Sequence, residues 1–164
     1  MYLDVLLTTK EGKEKWIELA ECPYLDDILE ELGASEDDVY ISEVDTNIKQ
    51  LDTSLDFEEL QDIIDVFEDV NRKHLDDDFE KLLQLGLDFN ETYTKMLDNE
   101  YYIFSANDDY DIGVFVVDND MWTYKRYEIP EGIYEVLDFD KIGEKYHHDW
   151  LCDFIDGECV AFYS

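Results

Sequence analysis

Any compact form of this chain has to carry 45 aspartates and glutamates against 12 lysines and arginines, a formal net charge of -33 on 164 residues. Self-repulsion on that scale works against a compact state, and an unfolded acidic tail would relieve it. The composition excludes that outcome. Hydrophobic residues make up 45% of the chain and aromatic ones 15%, well beyond what a disordered segment carries, and the acids occur in every stretch rather than in a tail. The charge therefore decorates a folded body, and the length suffices for one domain or a few small subdomains around a real core.

Such a surface repels nucleic acid and anionic membranes and favours cations, basic proteins and the positively charged grooves of DNA-binding enzymes. No apolar run approaches the ~20 residues that span a bilayer. Met1 to Lys10 lack a basic start leading into a long apolar stretch, so the expectation is a soluble, cytoplasmic protein with no membrane role. Cys22, Cys152 and Cys159 are sparse and odd in number, which predicts free thiols. Halophilic surfaces are acidic too, but those proteins tend to be poor in large apolar residues, and this chain is rich in aromatics.

Three textures follow one another, and together they predict an α+β fold of three small subdomains. In 1–53, strands are expected at Tyr2 to Leu7, Lys15 to Leu19 and Val39 to Val44, with a helix carrying Leu25, Ile28, Leu29 and Leu32 that stops at Gly33. In 54–99 the pattern is helical. Leu60, Ile63, Ile64, Phe67 and Val70 form one stripe behind a cap at Ser54 or Asp56, Leu75, Phe79, Leu82 and Leu83 a second, and Phe89, Tyr93, Met96 and Leu97 a short third helix. In 100–164 the pattern mixes again: a strand at Tyr101 to Phe104, a helix or strand over Asp108 to Asp118, a helix over Phe139 to Trp150 and a closing strand at Cys159 to Tyr163. We find no internal repeat and no low-complexity linker in the sequence read alone.

Opposite the first helical stripe, Glu58, Asp62, Asp65 and Asp69 share one side at three- and four-residue steps. Such steps put carboxylates about 5 to 6 Å apart along the axis, comparable with phosphates along a DNA strand. Like charges at these steps cost a few tenths of a kcal/mol each, and a face that only solvates the protein would mix signs. B-DNA carries about one charge per 1.7 Å, so the net charge equals that of roughly 16 base pairs.

Catalytic and metal chemistry is weakly represented. Asn107, Asp109 and Asp111 open like a calcium loop, but Ile112 occupies the glycine position, Gly113 comes one residue late, and the twelfth position is Asp118 rather than Glu. His147, His148, Cys152 and Cys159 lack the spacing of a zinc site. His74, beside Arg72 and Lys73, relieves local negative charge. There is no nucleophile elbow, P-loop or dinucleotide fingerprint. The sequence thus argues for no enzyme, no cofactor and no metal.

The order of parts resembles the ArdA antirestriction proteins, acidic dimeric DNA mimics carried by mobile elements. The similar segments are Trp16 to Leu19, Tyr40 to Asp45, Phe57 to Leu60, the glycine-containing Asp109 to Gly113 and Phe139 to Gly143, and the closing stretch Gly157 to Tyr163. The resemblance implies an elongated, three-part chain that forms a homodimer and occupies the DNA-binding groove of type I restriction-modification enzymes. The carboxylates then expected to stand in for phosphates are Glu58, Asp62, Asp65, Asp69, Asp76, Asp77 and Asp78, with Asp108, Asp109, Asp111, Asp118 and Asp120 further along. Two other targets suit the same field: a Cas effector, which would make the chain an anti-CRISPR protein, and a basic nucleoid protein that it would regulate. For the dimer contact, the uncharged clusters Tyr101 to Phe104 and Val114 to Val117 are the candidates, with plain core as the alternative.

Overall fold

The computed structural model describes residues 1–51, 55–119, 121 and 131–163. Among them are seven helices and two antiparallel sheets of three strands each, so the fold is α+β. Internal contacts gather into two compact units, Met1–Thr94 and Lys95–Ser164. The first sheet and the greater part of the helical stretch thus share one unit. Among the described residues no helix is long and apolar enough to cross a membrane.

In the first unit, β1 (Leu3–Thr9) lies between β2 (Glu14–Glu18) and β3 (Val39–Thr46) and is antiparallel to both. Alternation turns Leu3, Val5 and Leu7 inward, where they are fully buried, and Asp4 and Leu6 outward. Helix α1 (Leu25–Leu32) buries the expected Leu25, Ile28, Leu29 and Leu32. It ends at Gly33, whose φ of 66° lies in the left-handed region that glycine adopts without strain. Lys13 Nζ donates to the Leu32 carbonyl at 2.7 Å, placing a cation at the negative end of the helix.

Helix α2 (Phe57–Lys73) starts at Asp56, whose N–H donates to the Glu59 carboxylate at 2.8 Å in a capping box. Ser54, the other cap candidate, lies outside the described residues. All five residues of the expected stripe are buried, and Val66 joins them. His74 ends the helix with φ 57°, its N–H on Asn71 O at 3.1 Å, so its role is that of a C-cap. Helices α3 (Asp76–Leu83) and α4 (Phe89–Leu97) complete the set. Phe89 meets Phe67 and Phe79 edge-to-face, with ring centroids 5.9 and 5.4 Å apart. That is the favoured aromatic geometry for a buried cluster.

In the second unit β4 (Tyr101–Ser105), β5 (Leu151–Ile155) and β6 (Glu158–Phe162) form a sheet with β6 in the middle. β5 is absent from the sequence-based expectations, since Leu-Cys-Asp-Phe-Ile follows a helix directly and alternates only weakly. It pairs with β6 through a tight turn at Asp156 and Gly157, both at positive φ. The ambiguous stretch is helical, α5 (Asp109–Asp118), followed by the short α6 (Glu131–Tyr134) and by α7 (Phe139–Asp149). Ile112, Val116, Val117, Phe139 and Ile142 pack with Cys159 and Ala161 of β6.

Helices α5 and α7 touch backbone to backbone. A Cβ on Gly113 would stand 2.0 Å from Phe139 O, and one on Gly143 would stand 1.6 Å from Asp109 O. The contact is reciprocal, each glycine meeting the first residue of the other helix. Both helices open with the same pattern, Asp-x-x-x-Ile-Gly, at Asp108–Gly113 and Asp138–Gly143. Each leading aspartate is an N-cap, accepting from Asp111 N–H at 3.1 Å and from Lys141 N–H at 3.3 Å. A short repeat is therefore present after all. Six residues with two identities besides the cap are too few to stand out without the crossing.

Candidate acidic interaction surface

The outward side of α2 follows from its buried stripe, since apolar residues at three- and four-residue steps leave the opposite side to solvent. Glu58, Asp62 and Asp65 are exposed there. Asp65 accepts from the Gln61 amide at 2.7 Å. Among the described residues no lysine or arginine pairs with any of the three. Asp69, the fourth member of the row, is different. Its side chain is only 14% exposed and is bound by Arg72, by Lys73 Nζ at 2.6 Å and by the Tyr93 hydroxyl of α4 at 2.8 Å. The hydrogen bond from Lys73, then that from Tyr93, pulls its carboxyl down to about 2, while burial and the bond to Asp69 push the Tyr93 phenol up to about 12. Asp69 is thus a structural anchor, and the open row is three carboxylates long.

The remaining carboxylates divide by role. Asp76, Asp77 and Asp78 form the first turn of α3, where the helix dipole favours negative charge. Asp76 and Asp77 are exposed and Asp78 half-buried. Asp108 caps α5, and Asp111 accepts from Asn107 N–H at 2.8 Å. Asp109 Oδ1 lies 2.6 Å from His147 Nδ1, tying α5 to α7 beside the glycine crossing and holding the imidazole above its ordinary pKa. Asp118 is exposed and accepts from the Tyr134 hydroxyl at 2.9 Å. Asp120 lies outside the described residues.

The run Asn107 to Asp118 is a capped helix, which leaves no loop to wrap a calcium ion. Among the described residues no group of three or more His, Cys, Asp or Glu side chains could hold a metal ion. Cys152 and Cys159 are free thiols on adjacent strands, on the face of the sheet that meets the helices. Cys152 Sγ donates to the His147 carbonyl at 3.6 Å, and the neighbouring Cys159 thiol holds Cys152 below its ordinary pKa, whereas Cys159 is pushed up. In the two uncharged clusters named as dimer candidates, Phe104 and Phe115 stack at 3.6 Å between centroids and Val116 and Val117 are buried, while Tyr101 to Phe104 and Val114 are half-buried.

A second acidic surface is visible only in the folded chain. On the outward face of the first sheet, strand pairing aligns Asp45, Asp4 and Glu18 in one row, Glu43, Leu6 and Trp16 in the next, and Tyr40, Thr8 and Glu14 in a third. The alternation of β1 in the sequence foretells which of its residues point outward. The row of three carboxylates needs the register of all three strands.

No protein-family model and no curated protein sequence matches this chain. Its surface chemistry is therefore the ground for a functional reading. Rows of carboxylates on rigid elements accept charge-assisted hydrogen bonds from lysine and arginine, in the way that phosphates do.

Proposed function

We propose that the chain is a DNA-mimicking inhibitor that occupies the DNA-binding groove of type I restriction-modification enzymes, in the cytoplasm of a bacterial host, and protects incoming mobile or phage DNA. The observation that supports this most is the row of Glu58, Asp62 and Asp65, held outward on a capped, well-buried helix with no cation against it among the described residues. Six of the described cations are engaged elsewhere: Lys10 with Asp38, Lys15 with Glu31, Arg72 and Lys73 with Asp69, Lys95 with Glu100 and Lys141 with Asp138. A face serving solubility alone would share such cations with its acids.

The mechanism is competitive. Carboxylates meet the lysines and arginines that otherwise hold phosphates, and their arrangement on a folded body means that little ordering is lost on binding. A homodimer, in keeping with the ArdA resemblance, doubles the charged length. One helical row spaces its charges about 5.5 Å apart along the axis, against about 3.4 Å for one DNA strand, so several rows act together.

Purified protein added to a type I restriction enzyme is expected to block cleavage at near-stoichiometric amounts, with relief by non-specific DNA. The triple variant Glu58→Lys, Asp62→Lys, Asp65→Lys, whose changes all lie on the exposed side of α2, is expected to inhibit at least tenfold less well. Undiminished potency of the folded triple variant would sink the mimicry reading. A Cas9–guide complex assayed in parallel and inhibited alone would move the target to that class.

A further inference from the structure

We propose that the outward face of the β1–β3 sheet is a docking surface for an arginine- and lysine-bearing segment of a partner protein. This goes beyond the α2 row and does not rest on the antirestriction reading.

Residues opposed across antiparallel strands hold their Cβ atoms about 4.5 to 5.5 Å apart, and like charges placed so are destabilising. The chain sets Asp45, Asp4 and Glu18 side by side in this way. Among the described residues none of them pairs with a cation, and the Tyr2 hydroxyl at 3.3 Å is a side-chain donor to Asp45. In the next row Trp16 is 48% exposed, beside Glu18 on β2, and in the third row Tyr40 on β3 is 53% exposed. Leu6, paired with Trp16 in the middle of the second row, is half-buried.

Charge complementarity selects the occupant. A guanidinium stacks on an indole or phenol ring while its N–H groups donate to carboxylates alongside, and a lysine does the same as a point charge. A second copy of this chain would bring its own carboxylate row against this one, and nucleic acid would be repelled by the same field.

The test uses the full chain and a dye-labelled nona-arginine peptide, with binding read by fluorescence anisotropy at about 0.15 M salt, where the Debye length is about 8 Å. Trp16→Ala changes no charge, so its effect separates this face from the general field. It is expected to weaken binding about three- to tenfold. The set Asp4→Asn, Asp45→Asn, Glu18→Gln is expected to weaken it more than tenfold. Asp26→Asn, Asp27→Asn, Glu30→Gln, three exposed acids of α1, removes as many charges and should leave affinity within about twofold. Circular dichroism verifies folding, and Tyr40→Ala on the opposite edge strand carries the same test should Trp16→Ala unfold. Unchanged binding by the folded aromatic variants would overturn the proposal, as would equal losses from the two neutralised sets. Self-association of the unliganded protein that Trp16→Ala abolishes would also overturn it, assigning the face to a second copy. Peptide binding is read without any restriction enzyme, so failure of the antirestriction assay leaves this result standing.

Discussion

Asp69 shows how one carboxylate among 45 acidic residues can belong to the fold rather than to the field. Its partners, Arg72, Lys73 and Tyr93, hold it ionised, with a folded value of about 2 against an ordinary 3.8. A carboxyl lowered on folding contributes stability that is present above the unfolded value and is lost as pH falls through the folded one. Wild type should therefore be more stable than Asp69→Asn at pH 7, and the gap should close between about pH 4 and pH 2. Urea midpoints of the two proteins at pH 7, 4 and 3 check this, and because the other carboxylates titrate in both, the difference isolates Asp69. A gap of the same size at pH 7 and pH 3 would show that the ion pairs are not its source. The helical spacing alone places Asp69 in line with Glu58, Asp62 and Asp65. What removes it from the open row is Lys73 and Arg72, four and three residues on in the same helix, together with Tyr93, 24 residues away, whose position depends on how α4 packs.

At the scale of elements, the α5–α7 crossing sets two effects against each other. Alanine is the better helix former by about 1 kcal/mol, so propensity alone has Gly113→Ala and Gly143→Ala stabilising the protein. The added Cβ would instead stand 2.0 and 1.6 Å from backbone atoms of the facing helix, and backbone cannot turn aside as a side chain can. Overpacking of this kind costs about 1 to 3 kcal/mol or more, so steric conflict wins and both variants should melt well below wild type. Gly132 in α6 has nothing within 4 Å of its Cβ position, and Gly132→Ala is the control, expected to melt unchanged or higher. Thermal melts of the three variants decide the matter, and a stabilising Gly143→Ala would show that the helices do not touch as described. At the same helix start Asp108 caps α5, Asp111 accepts from the Asn107 N–H and Asp109 pairs with His147 of α7, so these three acids, which the sequence offers as phosphate stand-ins, also hold the fold.

For the whole molecule the net charge of -33 makes opposite demands on stability and on binding. Added salt screens self-repulsion within a Debye length of about 10 Å at 0.1 M, so the melting midpoint should rise between about 0.02 and 0.5 M NaCl. Binding to a basic groove should weaken over the same range, because attraction between partners is screened as well. A midpoint that falls with chloride would mean that ion pairs such as those around Asp69 outweigh the general repulsion. Potassium glutamate at matched ionic strength separates screening from specific anion effects.

Short-range pattern was legible from the sequence for several elements whose physical cause lies within four residues. The stripe of α2, the stop of α1 at Gly33 and the inward alternation of Leu3, Val5 and Leu7 depend on neighbours two to four positions away, and composition alone places the acids on the outside of a folded body. Tertiary structure decided which acids remain free. Asp69, paired with two cations of its own helix, is closed off further by a tyrosine from another, Asp109 is tied to a histidine from another helix, and the row of Asp45, Asp4 and Glu18 exists only once three strands adopt one register. A charge's effect depends on distances through space, and those are set by packing between segments far apart in the chain.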